Sequence, residues 1–193
     1  MTNKKEKTRE LILEKSQRLF AEIGFKQVTM KDICEATGLS RGGLYSHFSS
    51  TKEVFESLLE KITAEDEFDI EEEIKKSSSA ADILNSSLKR MLKEIEQPED
   101  SLSIAIYEYS QMNDPEEIVR LNKRAGEKWS KLIRYGIERG EFNNVDVNEI
   151  VSLILYSYQG VRMWSRILPG KKKAGIQIAN NIKNQLIREQ EEK

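Results

Sequence analysis

Apolar residues in this chain recur at helical spacing almost from end to end, and each run is closed by a capping residue or a glycine. Ile12, Leu19, Phe20 and Ile23, with Ser16 between them, line one face of a first helix that Gly24 ends. Thr29 caps a second, where Met30, Ile33, Cys34 and Thr37 form an i, i+3, i+4, i+7 stripe that stops at Gly38. Leu39 fills the turn, Ser40 caps again, and a third short helix turns Leu44 and Phe48 inward. Ser50 and Glu53 then form the S-x-x-E pattern of a capping box, so a longer fourth helix opens with Val54, Phe55, Leu58, Leu59 and Ile62 inward. No stretch alternates with the period of two that a half-buried strand requires, and no internal repeat or Rossmann-type glycine motif appears.

The same reading continues to the C-terminus. Residues 65–73 hold seven acidic side chains among nine and read as a solvated helix end and linker, lacking the loop spacing and glycine of a calcium site. Ser79 opens a fifth helix with Leu84, Leu88, Met91, Leu92 and Ile95 inward, followed by Pro98. Leu102, Ala105, Ile106 and Tyr109 mark a sixth. Asn113, Pro115, Glu116 and Glu117 start a seventh that runs to Gly140, with acids at its positive end. Asp146 and Glu149 open an eighth, apolar on nearly every side from Ile150 to Tyr158 and stopped by Pro169-Gly170. A ninth carries Ile176, Ala179, Ile182, Leu186 and Ile187. The expected fold is all-α with about nine helices: residues 1–49 as one domain, 50–76 as a connecting helix 4, and 77–193 as a larger helical domain.

Composition narrows the chemistry. With 193 residues, one Cys and one His, the chain has no internal disulfide and no His/Cys cluster for zinc. The expectation is that it uses neither metal nor cofactor. Residues 1–10 have no apolar signal core and no run approaches a membrane span, so a cytoplasmic protein without membrane contact is expected. Net charge is −2, but residues 1–60 hold 10 Lys/Arg against 9 Asp/Glu and residues 61–100 hold 6 against 12. The first segment is therefore not broadly basic, and local arrangement has to carry any case for nucleic-acid binding.

That arrangement is present. Two short helices joined by a tight glycine turn, the second preceded by a cap, form a helix-turn-helix whose second helix enters the major groove of DNA. From Ala36 to Lys52 there is no carboxylate, while Arg41, His47 and Lys52 offer charge or donors and Ser40, Tyr45, Ser46, Ser49, Ser50 and Thr51 offer hydroxyls for phosphate oxygens. Gly42 and Gly43 each cost a short helix about 1 kcal/mol relative to Ala, which close approach to a DNA backbone would explain.

Thr29-Met30-x-x-Ile33, Ala36-x-Gly38-Leu39-Ser40 and Gly42-x-Leu44-Tyr45-x-His47-Phe48 together resemble the N-terminal domain of the TetR family of bacterial transcriptional repressors. The resemblance covers roughly residues 9–55; the Gly140-Glu141-Phe142 turn is similar to the family's C-terminal half, less specifically. It implies a cytoplasmic homodimer that binds double-stranded operator DNA through its N-terminal domain and a small-molecule effector through its C-terminal domain. By that likeness Thr29, Ser40, Arg41, Gly42, Tyr45 and His47 contact DNA, mainly at phosphates, with Gly43 near base edges. The sequence departs from the family pattern twice: Gly43 stands where a small side chain is usual, and Thr51 where a lysine is common, with Lys52 one residue further on. Arg41 is left as the obvious base reader, able to bond guanine O6 and N7 together.

In the C-terminal half, Tyr107, Tyr109, Met112, Trp129, Tyr156, Tyr158, Met163 and Trp164 could line an apolar pocket for a partly hydrophobic effector, although such stripes are more often core. Of these, Tyr107, Met112, Trp129, Tyr156 and Trp164 are the expected ligand contacts. Ile154, Tyr158, Ile178, Ile182 and Leu186 are the expected dimer interface, a four-helix bundle of helices 8 and 9 from two subunits. Two other readings compete. An enzyme needs a nucleophile or base beside an orienting partner, yet the single His lies in the helix-turn-helix, Cys34 lies on an apolar stripe, and a pair such as Glu108 and Glu127 has no distinguishing spacing. A helix-turn-helix serving protein contacts would lack the steep salt dependence that phosphate contacts impose.

Overall fold

Gly24, Thr29, Gly38, Ser40, Ser50, Ser79 and Asp146 flank helices as expected in the computed structural model, which describes residues 2–97, 101–113 and 115–187, the side chains of 2, 3 and 65–69 excepted. Two signals fall differently: Asn113, expected to start the seventh helix, caps the end of the sixth, and the eighth ends at Trp164, before Pro169-Gly170, so that Gly170 instead caps the start of the ninth. Among the described residues the elements are α1 Thr2–Ile23, α2 Met30–Thr37, α3 Arg41–Tyr45, α4 Thr51–Lys75, α5 Ala80–Glu96, α6 Ser103–Met112, α7 Glu116–Glu138, α8 Val147–Trp164 and α9 Lys171–Leu186. The acidic segment, read as a solvated helix end and linker, is helical throughout and belongs to α4, which closely matches the connecting helix expected over residues 50–76. Glutamate is a good helix former, and Lys75 at the C-terminal end suits the negative end of the helix. Pro98 and Asp114 lie outside the described residues.

Two compact units form: residues 1–65 with 99–115, and 66–98 with 116–193. The first is built on α1, α2, α3, the start of α4, and α6. Ile12, Phe20, Ile33, Leu44, Phe48, Val54 and Phe55 are almost wholly buried. Phe20 meets Phe55 edge-on at 4.8 Å between ring centroids. Phe25 meets Tyr109 at 5.1 Å and 84°. Offset and edge-on pairs of this kind add to the burial of the rings themselves. Tyr109 brings α6 into this unit: its ring is buried and its hydroxyl donates to Glu56 Oε1 at 2.5 Å. Glu108 Oε2 accepts the backbone N–H of Lys26 at 3.0 Å. Helix 6 thus packs against the helix-turn-helix side of the chain, although the sequence reading grouped it with the C-terminal domain, because aromatic partners distant in sequence leave no trace in local periodicity.

In the second unit, α5, α7, α8 and α9 enclose Leu84, Leu88, Leu132, Ile133, Ile150, Ile154, Ile182 and Leu186. The turn after α7 locks it. A Cβ at Gly136 would lie 2.2 Å from the Phe142 ring, so only glycine lets that buried ring close over the helix. Glu141 Oε2, beside it, accepts the Ser79 hydroxyl at 2.9 Å and the Ala81 N–H at 3.2 Å, capping α5. Burial pushes the Glu141 carboxyl up, but bonds from Arg139, Ser79 and Ala81 outweigh it and hold it below the usual range. Ile23 and Ile176, read as inward-facing, are exposed.

Candidate nucleic-acid interface

The helix-turn-helix is assembled by caps. Thr29 Oγ1 accepts the Asp32 N–H at 3.3 Å while the Asp32 carboxylate accepts the Thr29 N–H at 2.8 Å, closing a reciprocal box at the start of α2. The Thr29 hydroxyl also donates to that carboxylate, and these bonds hold the Asp32 carboxyl below its ordinary range. Gly38, with φ +71°, ends α2 in the left-handed conformation that turns the chain toward α3. Ser40 then caps α3, its hydroxyl accepting the Gly43 N–H at 3.1 Å. The third helix is shorter than the sequence reading: it ends at Tyr45, and Phe48 is buried from the turn beyond it.

The box expected at α4 is rearranged. Ser50 Oγ accepts the Glu53 N–H at 3.2 Å, but the Glu53 carboxylate reaches back one residue further, accepting the Ser49 N–H at 2.7 Å and the Ser49 hydroxyl at 2.8 Å. Those bonds, the backbone one foremost, hold the Glu53 carboxyl low.

Leu44 has no exposed surface, whereas Arg41, Gly42, Tyr45 and Ser46 around it are exposed, so α3 is anchored by one side and presents the other. Ser40 is exposed and His47 half-buried. Arg41 has no ion-pair or hydrogen-bond partner among the described residues. Nothing lies within 4 Å of a Cβ built at Gly42, while at Gly43 the Ser40 hydroxyl would be 3.3 Å away. The smooth surface at Gly42 is therefore a property of the outer face and not a demand of packing inside the chain. Lys52 Nζ stands 3.8 Å from Glu56 Oε1, an exposed pair of small energetic weight. Every DNA-contact candidate from Thr29 to Lys52 thus lies in the first unit, on or next to α2, α3 and the head of α4. Sequence reasoning missed Arg9: its guanidinium lies 4.3 Å over the Phe48 ring and donates to Ser57 Oγ at 2.8 Å, bracing the turn after α3 against α1 and α4. A single arginine on a charged helix carries no spacing signal for that role.

The expected ligand contacts are divided. Tyr107 and Met112 belong to the first unit and are exposed; Trp129 is buried in the core of the second, where Tyr156 and Trp164 are exposed. The expected interface residues also need revision: Ile154, Ile182 and Leu186 have no accessible surface in the single chain, because α5, α7, α8 and α9 already cover them. Ile178 and Tyr158 are half-buried, and the Tyr158 hydroxyl donates to Glu94. No helix among the described residues is long and apolar enough to cross a membrane.

Residues 12–58 match the family model described as bacterial regulatory proteins, tetR family. The chain is 34% identical over 146 residues to the uncharacterized HTH-type transcriptional regulator YfiR of Bacillus subtilis, covering 73% of this chain and 71% of that protein. A TetR transcriptional regulator from Chloroflexus aurantiacus shares the fold with a TM-score of 0.76 at 23% identity, over 97% of this chain and 100% of the other. One from Haloarcula marismortui does so with a TM-score of 0.76 at 18% identity, over 95% and 100%. The matched segment spans α1 to the head of α4, where the caps and the exposed face of α3 were found, and the likeness to the Bacillus protein runs well beyond it: the chain belongs to the TetR family of bacterial transcriptional regulators.

Proposed function

We propose that this regulator is a repressor that binds a pseudo-palindromic operator as a homodimer, acts in the cytoplasm without catalysing a reaction, and leaves DNA when a small, partly hydrophobic effector binds its second unit. The observation that carries the DNA reading is α3: Leu44 and Phe48 hold it from beneath while Arg41, Tyr45 and the hydroxyls of Ser40 and Ser46 face outward with no carboxylate between Ala36 and Lys52. Arg41 reads a guanine edge; Tyr45, His47, Ser40 and Lys52 hold phosphates; Gly42 and Gly43 let backbone and groove approach. Thr29 acts mainly by fixing the entry to α2, since its hydroxyl is already engaged by Asp32.

Two copies are required because one five-residue recognition helix covers too few bases for specificity. Tyr156 and Trp164 on α8 and Ile176 on α9 supply the apolar surface that remains exposed for a partner, in place of the buried isoleucines and leucine. The two recognition helices then reach successive major grooves roughly 34–36 Å apart. Helix α4 begins at the DNA-facing cap and ends among the residues of the second unit, which makes it the element through which an effector acts.

Selection of bound duplexes from a random library tests this directly. A palindromic consensus whose affinity falls steeply with salt supports the reading, and capture of no duplex, or a flat salt response, sinks it. Light scattering at micromolar concentration checks the dimer, which a monomer would refute.

A further inference from the structure

A groove of about 950 Å³ runs along α5 beside the last turns of α4, within the second unit. Its floor is apolar: Ile70 and Ile83 are buried and Leu92 is half-buried. One buried polar side chain is among its lining residues. Ser87 is only 5% exposed, and its hydroxyl has no hydrogen-bond partner. A buried hydroxyl left unpaired is unfavourable and rare in native folds, and this one lines the groove, where a bound molecule can bond it.

The charges around the groove are unequally matched. Glu73 accepts from Lys76 at 3.0 Å and from the Ser78 hydroxyl at 2.6 Å, and Glu96 pairs with Lys172 at 3.0 Å. Glu72 lies 3.6 Å from the same Lys76. Asp82 sits in the first turn of α5, where the positive helix end offsets it. Lys89 and Lys93, one turn apart on α5 and both lining the groove, have no ion-pair partner among the described residues. Rim carboxylates are satisfied from within the chain, while two rim ammonium groups are not.

We infer that this groove binds a small amphipathic anion, its carboxylate between Lys89 and Lys93, a polar group of the ligand bonded to Ser87, and its hydrocarbon body over Ile70 and Ile83. The inference rests on the reading of the chain as an effector-released regulator, and it moves the effector site from the scattered aromatic side chains to α5.

Decanoate is the probe, titrated calorimetrically into the full-length protein, with decylammonium as the same hydrocarbon bearing the opposite charge. Decanoate should bind once per chain and at least tenfold more tightly than decylammonium. The double substitution Lys89→Gln with Lys93→Gln, at exposed positions where α5 keeps its helix, should weaken decanoate at least tenfold; Ser87→Ala should weaken it severalfold. Circular dichroism confirms that each variant is folded. Equal binding of the two amphiphiles, or decanoate affinity unchanged in both variants, overturns the site. A parallel measurement of the selected duplex separates the two ideas: decanoate that binds with these dependences yet leaves the duplex bound keeps the anion site and removes its role as effector site, whereas a protein that selects no duplex loses the DNA reading while calorimetry still decides the groove.

Discussion

The two units hold their helices by different means. In the first, short-range bonds do most of the positioning: Thr29 with Asp32, Ser40 with the Gly43 N–H, and Ser49 and Ser50 with Glu53 join residues within four positions of each other. In the second, the decisive contacts join distant parts of the chain, such as Glu141 with Ser79 and Tyr135 with the Ser78 carbonyl. A short exposed helix such as α3 is best set by rigid local caps, whereas a helical bundle is fixed by whichever residues meet across it. Aromatic rings supply the first unit's long-range contacts, Phe20 meeting Phe55 between α1 and α4 and Tyr109 tying α6 to Phe25 and Glu56.

The largest effect should come from breaking the second unit's turn. Phe142 is 1% exposed against Gly136, and Phe142→Ala removes a ring from a core that cannot close over the space, at a cost of about 3–5 kcal/mol. Thermal melting followed by circular dichroism should show the loss. A change below 1 kcal/mol would mean that the turn does not secure α7.

Next is Tyr109→Phe, which deletes the hydroxyl that donates to Glu56 and keeps the ring in its cluster. It should destabilise by about 1–2 kcal/mol, the range for removing one partner of a charge-assisted bond. An unchanged melting curve would show that ring packing alone holds α6.

Arg41→Ala sharpens the comparison from the other side, since Arg41 is exposed. Stability should be unaltered while affinity for the selected operator falls by about 1–3 kcal/mol, with a smaller loss on random DNA. Equal loss on both would reassign Arg41 to a phosphate.

These contrasts explain what could be read from the chain. Caps and glycine stops act over three or four residues, so Thr29, Gly38, Ser40, Ser50 and Asp146 placed helix starts and ends correctly, and the helix-turn-helix geometry was legible nearly whole. An apolar stripe says that a face is buried but not by what. Ile154, Ile182 and Leu186 therefore looked like an interface, and they are covered by the chain's own helices. Tyr109 was grouped with ligand-lining aromatics for the same reason. Arg9 over Phe48 and Ser87 in the α5 groove have no periodic signature at all; one long-range approach defines each.

The smallest expected effect concerns the cap that begins the helix-turn-helix. Thr29→Ala removes the hydroxyl bonded to Asp32 and should cost about 1 kcal/mol, as loss of an N-cap generally does. The same substitution should flatten the acid side of the stability curve. The Thr29 hydroxyl is the first cause of the lowered Asp32 pKa, with the Thr29 N–H second, so the folded chain holds this carboxylate ionised at a pH where the unfolded chain protonates it. Stability from this source is complete above the unfolded carboxylate range and drains away as pH falls through that range toward the folded value. Urea melts of the wild type and Thr29→Ala, compared near neutrality and in the acid carboxylate range, should therefore converge as pH drops. A difference that stays constant would assign the cap's contribution to the neutral hydroxyl–backbone bond alone and leave the Asp32 carboxylate without a share in holding α2 in place.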